Sequence, residues 1–401
     1  MGNRRQQINS FIATLPDLLR FLDNYQDDLV YVDINPSNPP AGARQLEMTA
    51  FPAHLAEQIL DEVHPSPLPP RLTPTARQKI EAVKPLPPVP QKLAIGMNID
   101  PKNGQGYPLQ GPNLPLTKLD WVRFPFTSSR AQFSSLEAAF QFFDPIISDY
   151  NAAGVKIMLV LTHQTYGEGE GFVWGEMNAA RWADFARGFV PVFERILRRY
   201  GDKIAAYELW NEGDAEIGNP SAVYYPPRDF ALLLDRCEPL VRQLAPEATL
   251  VLGGLVRGPG VGVAYVNEIR AALNGRLPLD AIGLHPYGKG APNDRTVFSR
   301  FGNVSDDLRL FSQAFPNIPL WLTEVGALGT DDPQFWDDAA LYLRNLFRHL
   351  QANHAALAPV VVWYAWSDSM DIAQKTNGVV TMNLQPKPHL YQAFFDEVSQ
   401  K

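Results

Sequence analysis

The sequence predicts an α/β protein: a closed (β/α)8 (TIM) barrel behind a proline-rich amino-terminal extension. Two observations carry this. From residue 93 onward, eight short apolar runs alternate with long amphipathic stretches, the texture of a parallel sheet whose strands are joined by crossover helices. The runner-up, an open doubly wound sheet, lacks its usual signature, because IGMNIDPKNGQG after the first run spaces its glycines too widely for a dinucleotide-binding turn.

The eight expected strands are 93–97 (LAIGM), 119–124 (LDWVRF), 155–161 (VKIMLVL), 205–210 (AAYELW), 249–254 (TLVLGG), 280–284 (DAIGL), 318–323 (IPLWLT) and 359–366 (PVVVWYAW). Apolar residues at helical spacing predict helices over 135–153, 179–200, 228–244, 265–273, 305–315, 333–353 and 389–398. Only the first crossover lacks an obvious helix. The division expected is 1–92 as extension and 93–401 as barrel. Within the extension, short helices are expected at 16–24 and 53–63, a strand at 28–34 and another helix start at Thr73-Pro74, and the stretch is expected to pack against the barrel. Nearly half of the 36 prolines fall between Pro36 and Pro115, which makes segments such as PSPLPPRLTP stiff and extended.

Composition narrows the partners. Of 401 residues, 45% are hydrophobic and 19% charged, and 43 acidic residues outnumber 35 Lys and Arg for a formal charge of -8. A phosphate backbone is therefore not an expected ligand. No apolar run approaches the ~20 residues needed to cross a bilayer, so no membrane partner is expected. The single cysteine, Cys237, excludes an intramolecular disulfide and a cysteine-cluster metal site. The first twenty residues contain no secretory hydrophobic stretch, so the chain as given is expected in the cytoplasm, or secreted if a leader is missing.

In a barrel of this kind the site is assembled from loops at the carboxyl ends of the strands, and those ends carry a coherent polar set. Arg123 ends the second strand, His163 follows the third, Asn211 and Glu212 the fourth, His285 and Tyr287 the sixth and Glu324 the seventh, with Trp366 at the eighth. Two carboxylates converging on one cavity, with an arginine and histidines between them, suit glycoside hydrolysis, which needs an acid and a base or nucleophile flanking one bond. No His-x-His or His-Glu-x-x-His spacing supports a metal, and no cofactor is expected.

ELWNEGD around Glu212 and WLTEVG around Glu324 resemble the fourth- and seventh-strand signatures of the glycoside hydrolase clan of 4/7 barrels, clan A, which includes the cellulase-type family five and the β-xylosidase-like family thirty-nine. Arg123, His163, His285 with Tyr287, and Trp366 resemble the family five set in strand order, and QPKPHLYQAF resembles the run into the last helix of such enzymes. The resemblance covers roughly residues 93–398. It implies a carbohydrate substrate, Glu212 as general acid and base, Glu324 as nucleophile, and retention at the anomeric carbon.

In that scheme Glu324 must be ionised, which a neighbouring Arg123 and a hydroxyl donor such as Tyr287 favour. Glu212 must hold a proton, which burial beside Trp210 and the charge of Glu324 favour. Asn211 is expected to bond the sugar 2-hydroxyl, His163 and His285 to orient the substrate, and Trp366 to offer its face to the sugar ring. Trp174, in a glycine-rich loop, is a candidate extension of that platform. Tyr224, Tyr225, Asn98 and Asp100 stand open between contact and packing, and Glu208 is expected to be a paired structural carboxylate. The alternatives are a barrel that binds sugar without chemistry and, less favoured by the ligand spacings, a metal hydrolase. Linkage, sugar identity and oligomeric state are not legible.

Overall fold

A computed structural model describes residues 30–34, 46–51, 92–219, 222–287, 302–327, 333–370 and 377–399. The chain divides into two compact units, Met1–Leu86 and Pro87–Lys401. In the first, β1 (Val30–Ile34) and β2 (Leu46–Phe51) form an antiparallel pair. The first of these coincides with the expected strand, while its partner was not anticipated. The helices expected at 16–24, 53–63 and after Thr73 lie outside the described residues.

The second unit is a closed barrel of eight parallel strands. In order these are β3 (Ala94–Asn98), β4 (Trp121–Pro125), β5 (Lys156–Leu161), β6 (Ala206–Leu209), β7 (Thr249–Leu255), β8 (Ala281–Leu284), β9 (Leu320–Val325) and β10 (Val360–Trp363). Pairing of β10 with β3, Val361 opposite Ile95, closes the ring. All eight lie where the apolar runs predicted them. Nearly every strand residue is buried, because the barrel interior covers one face and the helices cover the other.

Around the barrel run α1 (Leu136–Ala152), α2 (Ala179–Tyr200), α3 (Pro227–Leu244), α4 (Gly258–Ala272), α5 (Gly302–Ala314), α6 (Trp336–Asn353) and α7 (Pro388–Ser399). Side-chain caps fix two starts: Ser135 accepts from the Ala138 amide and Asn178 from that of Arg181. The first crossover is spanned by 3-10 turns at Gly111–Lys118. Among the strands β10 ends at Trp363, three residues before the expected 366, and among the helices the one substantial boundary correction is α4, which begins seven residues before the expected 265. Gly-Pro-Gly there reads as a loop, yet a proline in the first turn suits a helix start. Gly262 leaves room for the Phe311 ring, which would lie 2.7 Å from any Cβ at that position.

The two-residue period of the strands builds the barrel interior in layers. Trp121, Met158, Ala206, Val251, Ala281 and Trp321 fill the lower layer together, with the Trp121 and Trp321 rings meeting edge-on at 5.3 Å. Two residues further along the same strands stand Arg123, Glu208 and Thr323. The polar floor of the barrel mouth thus rests directly on an apolar plug. Among the described residues no helix is long and apolar enough to cross a membrane.

Candidate active site

Arg123 organises the mouth. Its Nε donates to Glu208 Oε2 (2.5 Å), Nη1 donates to Glu324 Oε1 (2.6 Å) and to Asn98 Oδ1 (2.8 Å), and Nη2 donates to Asn211 Oδ1 (2.7 Å). Burial works against the cation, but Glu208 and Glu324 outweigh it and hold the guanidinium well above its ordinary value. It is a permanent positive charge. Glu208 is fully buried and its other oxygen accepts the Gly254 amide at 2.9 Å, so it is the paired structural carboxylate expected. Asn98 belongs to this network. Asp100 instead caps a 3-10 turn and bonds Asn103 within the loop.

Glu324 reaches the mouth through an irregularity in β9. Leu320 and Leu322 face the helices, and strict alternation would send Glu324 the same way, but the register between β9 and β10 shifts between Val361 and Trp363. One extra residue in a strand re-aims the side chains beyond it, so Thr323 and Glu324 both serve the mouth. Glu324 Oε2 accepts the Tyr287 hydroxyl at 2.6 Å. Burial pushes its carboxyl up; the charges of His285 and Arg123 and the hydrogen bonds from Tyr287 and Arg123 more than reverse this, and it ionises below the usual carboxylate range. Tyr287, buried beside that carboxylate, is pushed well above the usual phenol value and remains a donor.

Glu212 stands beyond the end of β6 on left-handed backbone, as does Trp210 (φ 53° and 74°). The Glu212 amide donates to Gly254 O at 3.0 Å and Trp210 Nε1 to Val223 O at 2.7 Å. These bonds hold a turn that non-glycine residues rarely adopt. One carboxylate oxygen of Glu212 and one of Glu324 lie within 4.8 Å of each other, with His285 between them. His285 Nδ1 is 2.9 Å from Glu212 Oε1 and 3.6 Å from Glu324 Oε2, and Nε2 is 3.1 Å from Thr323 Oγ1. Burial alone would lower the imidazole pKa, but the two carboxylates raise it above the ordinary histidine value.

The ring fits because β7 carries Gly253-Gly254. A Cβ at Gly254 would lie 1.9 Å from His285 Nε2, and one at Gly253 would lie 2.2 Å from Trp210 O. In the sequence this pair marks only the end of the expected strand 249–254. Two adjacent glycines on a barrel strand are themselves a signal of close approach at the mouth.

The expected residues do not all arrive. Arg123, Asn211, Glu212, His285, Tyr287 and Glu324 converge. His163 is nearby: its ring lies 5.7 Å from that of Trp210 and 5.4 Å from that of Trp174, with Nε2 3.4 Å from Glu168 Oε1. Burial lowers its pKa. Trp174 and half-buried Tyr224 line a neighbouring cavity, whereas Tyr225 is core, stacked 4.0 Å from Trp182. Trp366 is a correction. It is wholly buried, its Nε1 donates to Asn113 Oδ1 at 2.8 Å, and its ring contacts Tyr391 and Phe395. The strand ends at Trp363, so Trp366 leaves the mouth and packs toward α7. Tyr364 stands closer, 6.3 Å from the Tyr287 ring and only partly buried.

Glu212, His285 and Glu324 form the one His and acidic cluster among the described residues whose donor atoms are close enough for a metal. The donor set suits proton chemistry better, because the Arg123 guanidinium already holds one Glu324 oxygen and would repel a cation there. A cleft of about 570 Å³ including Lys156, Lys203 and Glu247 opens at the opposite end of the barrel, at the start of β5 and remote from these groups.

No family model matches the chain, and no curated protein matches it. Solved structures do. A family 39 glycoside hydrolase from Bacteroides cellulosilyticus is 20% identical with a TM-score of 0.51, over 78% of this chain and 64% of its own, so this chain spans less than two thirds of that protein. An endo-1,4-β-xylanase of Penicillium canescens is 14% identical with a TM-score of 0.56, over 78% and 95%. A family 5, subfamily 18 protein of Streptomyces cattleya, solved with N-acetylglucosamine, is 15% identical with a TM-score of 0.54, over 77% and 80%. The chain therefore has the (β/α)8 fold of these proteins, and the likeness to families 5 and 39 read from its motifs extends to the architecture of the barrel.

Proposed function

We propose that this protein is a retaining hydrolase of β-glycosides, with Glu212 as acid and base and Glu324 as nucleophile. The observation that carries the reading is the approach of their carboxylate oxygens to within 4.8 Å. Retaining enzymes hold their carboxyls about 5–5.5 Å apart, whereas inverting enzymes leave ~6.5–9.5 Å for a water. The fold shared with glycoside hydrolases supports the same reaction class.

The chain's own groups divide the work. Arg123 and Tyr287 keep Glu324 ionised and aimed, each holding one oxygen. His285, with the proton on Nδ1, donates to Glu212 Oε1 and leaves Oε2 to carry a proton to the glycosidic oxygen. Glu324 attacks the anomeric carbon as that bond breaks, and the proton passes from Glu212 to the leaving oxygen. Bonding Glu324 to the sugar removes its negative charge. Glu212, now ionised, takes a proton from water, whose oxygen displaces Glu324 from the same carbon. Asn211, fixed by Arg123, is placed to meet the 2-hydroxyl, and Tyr364 takes the platform role first given to Trp366. The substrate is a carbohydrate carrying a β-glycosidic bond.

The test is stereochemical. Proton NMR during hydrolysis of an aryl β-glycoside, chosen from a panel of common sugars, is expected to show the β-anomer of the free sugar first, with the α-anomer appearing only by mutarotation. First release of the α-anomer overturns retention. Binding of sugars without any turnover across the panel favours the non-catalytic barrel.

A further inference from the structure

Two residues beyond Glu212, Asp214 has no part in the chemistry above, yet it is only 1% exposed. Its Oδ1 accepts the Val256 amide at 3.0 Å and its Oδ2 the Arg257 amide at 3.1 Å. Burial outweighs these two bonds and the charge of His285, and it holds the carboxyl above the usual aspartate value. Among the described residues no lysine or arginine pairs with it. A charge buried without a countercharge is a cost to the fold, which points to a task other than stability.

That task is not helix capping. A capping side chain bonds amides inside the first turn, whereas Val256 and Arg257 both precede Gly258, where α4 begins. What the two bonds join is the segment after β6 to the segment after β7. The ladder between those strands ends with Leu209 opposite Leu252. Beyond it the Glu212 amide donates to Gly254 O at 3.0 Å. Two residues further along each segment, Asp214 receives the Val256 amide, so a carboxylate supplies the next rung where the backbone has left the sheet. The residue between the two rungs is seated as well. Gly213 O accepts the Tyr225 amide at 3.0 Å, and a Cβ at Gly213 would lie 2.7 Å from the Tyr265 hydroxyl oxygen.

The backbone held in this way is strained. Trp210 and Glu212 stand at φ 74° and 53°, a conformation that persists in non-glycine residues only where the surroundings over-determine it. On the upstream side the Trp210 indole is tied to Val223 O. On the downstream side the tying side chain is that of Asp214. Freed of it, the turn can relax and carry the Glu212 carboxyl away from His285 Nδ1, now 2.9 Å from Oε1. A misplacement of about 1 Å at a reacting group costs on the order of a hundredfold in rate.

We propose that Asp214 is a positioning residue for the acid: by bridging the segments beyond β6 and β7 it holds Glu212 on its left-handed turn, against His285 and toward the leaving oxygen. The effect on rate rests on the hydrolase reading, whereas the effect on the place of Glu212 does not, so the two are measured separately. Asp214→Asn keeps the size of the side chain but sets an amide group against two N–H donors, so one bond is lost. A phenolate leaving group needs the proton of Glu212, and a 2,4-dinitrophenolate does not. Asp214→Asn is therefore expected to lower kcat/KM on a phenyl β-glycoside about thirtyfold, and at least about tenfold more than on the dinitrophenyl glycoside of the same sugar. Loss of folded protein lowers both alike. Ring NMR of His285 in the full chain reads the place of Glu212 without turnover. Asp214→Asn is expected to lower the proton affinity of that imidazole about tenfold, but less than about threefold when Glu212→Gln is already present, since the carboxylate through which Asp214 acts is then gone. Equal falls in both backgrounds show the charge of Asp214 acting alone and overturn the positioning role, as do equal kinetic losses on the two glycosides. A wild type that cleaves neither glycoside for any common sugar, yet gives the background-dependent NMR response, supports the hold of Asp214 on Glu212 and overturns the hydrolase reading.

Discussion

Glu324→Ala is expected to lower turnover of an aryl β-glycoside by about four orders of magnitude, the scale on which covalent nucleophiles act, and added azide is expected to restore product as the α-glycosyl azide. The expectation follows from what surrounds the carboxylate. Arg123 Nη1 and the Tyr287 hydroxyl approach the two Glu324 oxygens at 2.6 Å each, so truncation leaves a small, positively lined space where an anion fits. Azide entering there attacks the same face of the sugar as Glu324 would. No carboxylate then remains to be displaced, so inversion happens once instead of twice. Glu212 and its bond to His285 are untouched, and protonation of the leaving oxygen continues. The readout is the rate with and without azide, together with the anomeric configuration of the azide adduct. Undiminished activity in Glu324→Ala, or an azide product of β configuration, contradicts the assignment of the nucleophile.

Arg123→Met is expected to produce the largest loss of stability of any single change at the mouth. The guanidinium is almost wholly buried and bonds four side chains, two of them carboxylates. Methionine has comparable length but no charge, so Glu208 and Glu324 remain facing each other in a low-dielectric interior. Removing one partner from a buried ion pair costs about 3–5 kcal/mol, and the mutual repulsion of the two acids adds to it. Urea unfolding at neutral pH reads this as a lower midpoint. The pH dependence has a definite sign. Glu324 ionises below the usual carboxylate range in the folded protein, so it contributes stability above that usual range, which is lost as pH falls through its folded value. Without Arg123 that contribution shrinks, and the acid limb of the activity profile moves to higher pH. A variant as stable as wild type, with an unmoved acid limb, contradicts the proposed role of Arg123.

Most of the barrel was legible because its signal is periodic. Each parallel strand is buried on both faces and stands out as an apolar run, and the crossovers repeat the helical spacing. Arg123 and Glu208 are legible for the same reason, since each lies two residues beyond a residue of the apolar plug. The same count applied to β10 points to the right platform: Val360 and Val362 face the barrel interior, which makes Tyr364 the next inward position. Trp366 drew attention as the larger aromatic at a strand end, but the chain has left the barrel before reaching it.

Other features depend on backbone geometry that side-chain identity does not encode. Glu324 turns into the mouth only through the register shift in β9, and Glu212 only through left-handed backbone held by Gly254 and Val223. The early start of α4 is hidden by Gly258 and Gly260, which favour a loop in isolation, while Gly262 within the helix admits Phe311. The partner strand β2 was hidden by its setting among prolines. Sugar identity is a property of loop shape, which the strand pattern does not determine.

Covalent trapping tests the chemistry most directly. A 2-deoxy-2-fluoro β-glycoside with a good leaving group, built on a sugar the protein hydrolyses, slows the second displacement more than it slows the first and lets the sugar accumulate on the enzyme. Peptide mass mapping after proteolysis is expected to find one sugar per chain, attached to Glu324. Rapid turnover of the parent glycoside with no adduct under these conditions, or an adduct on any other residue, contradicts a two-step reaction through this carboxylate.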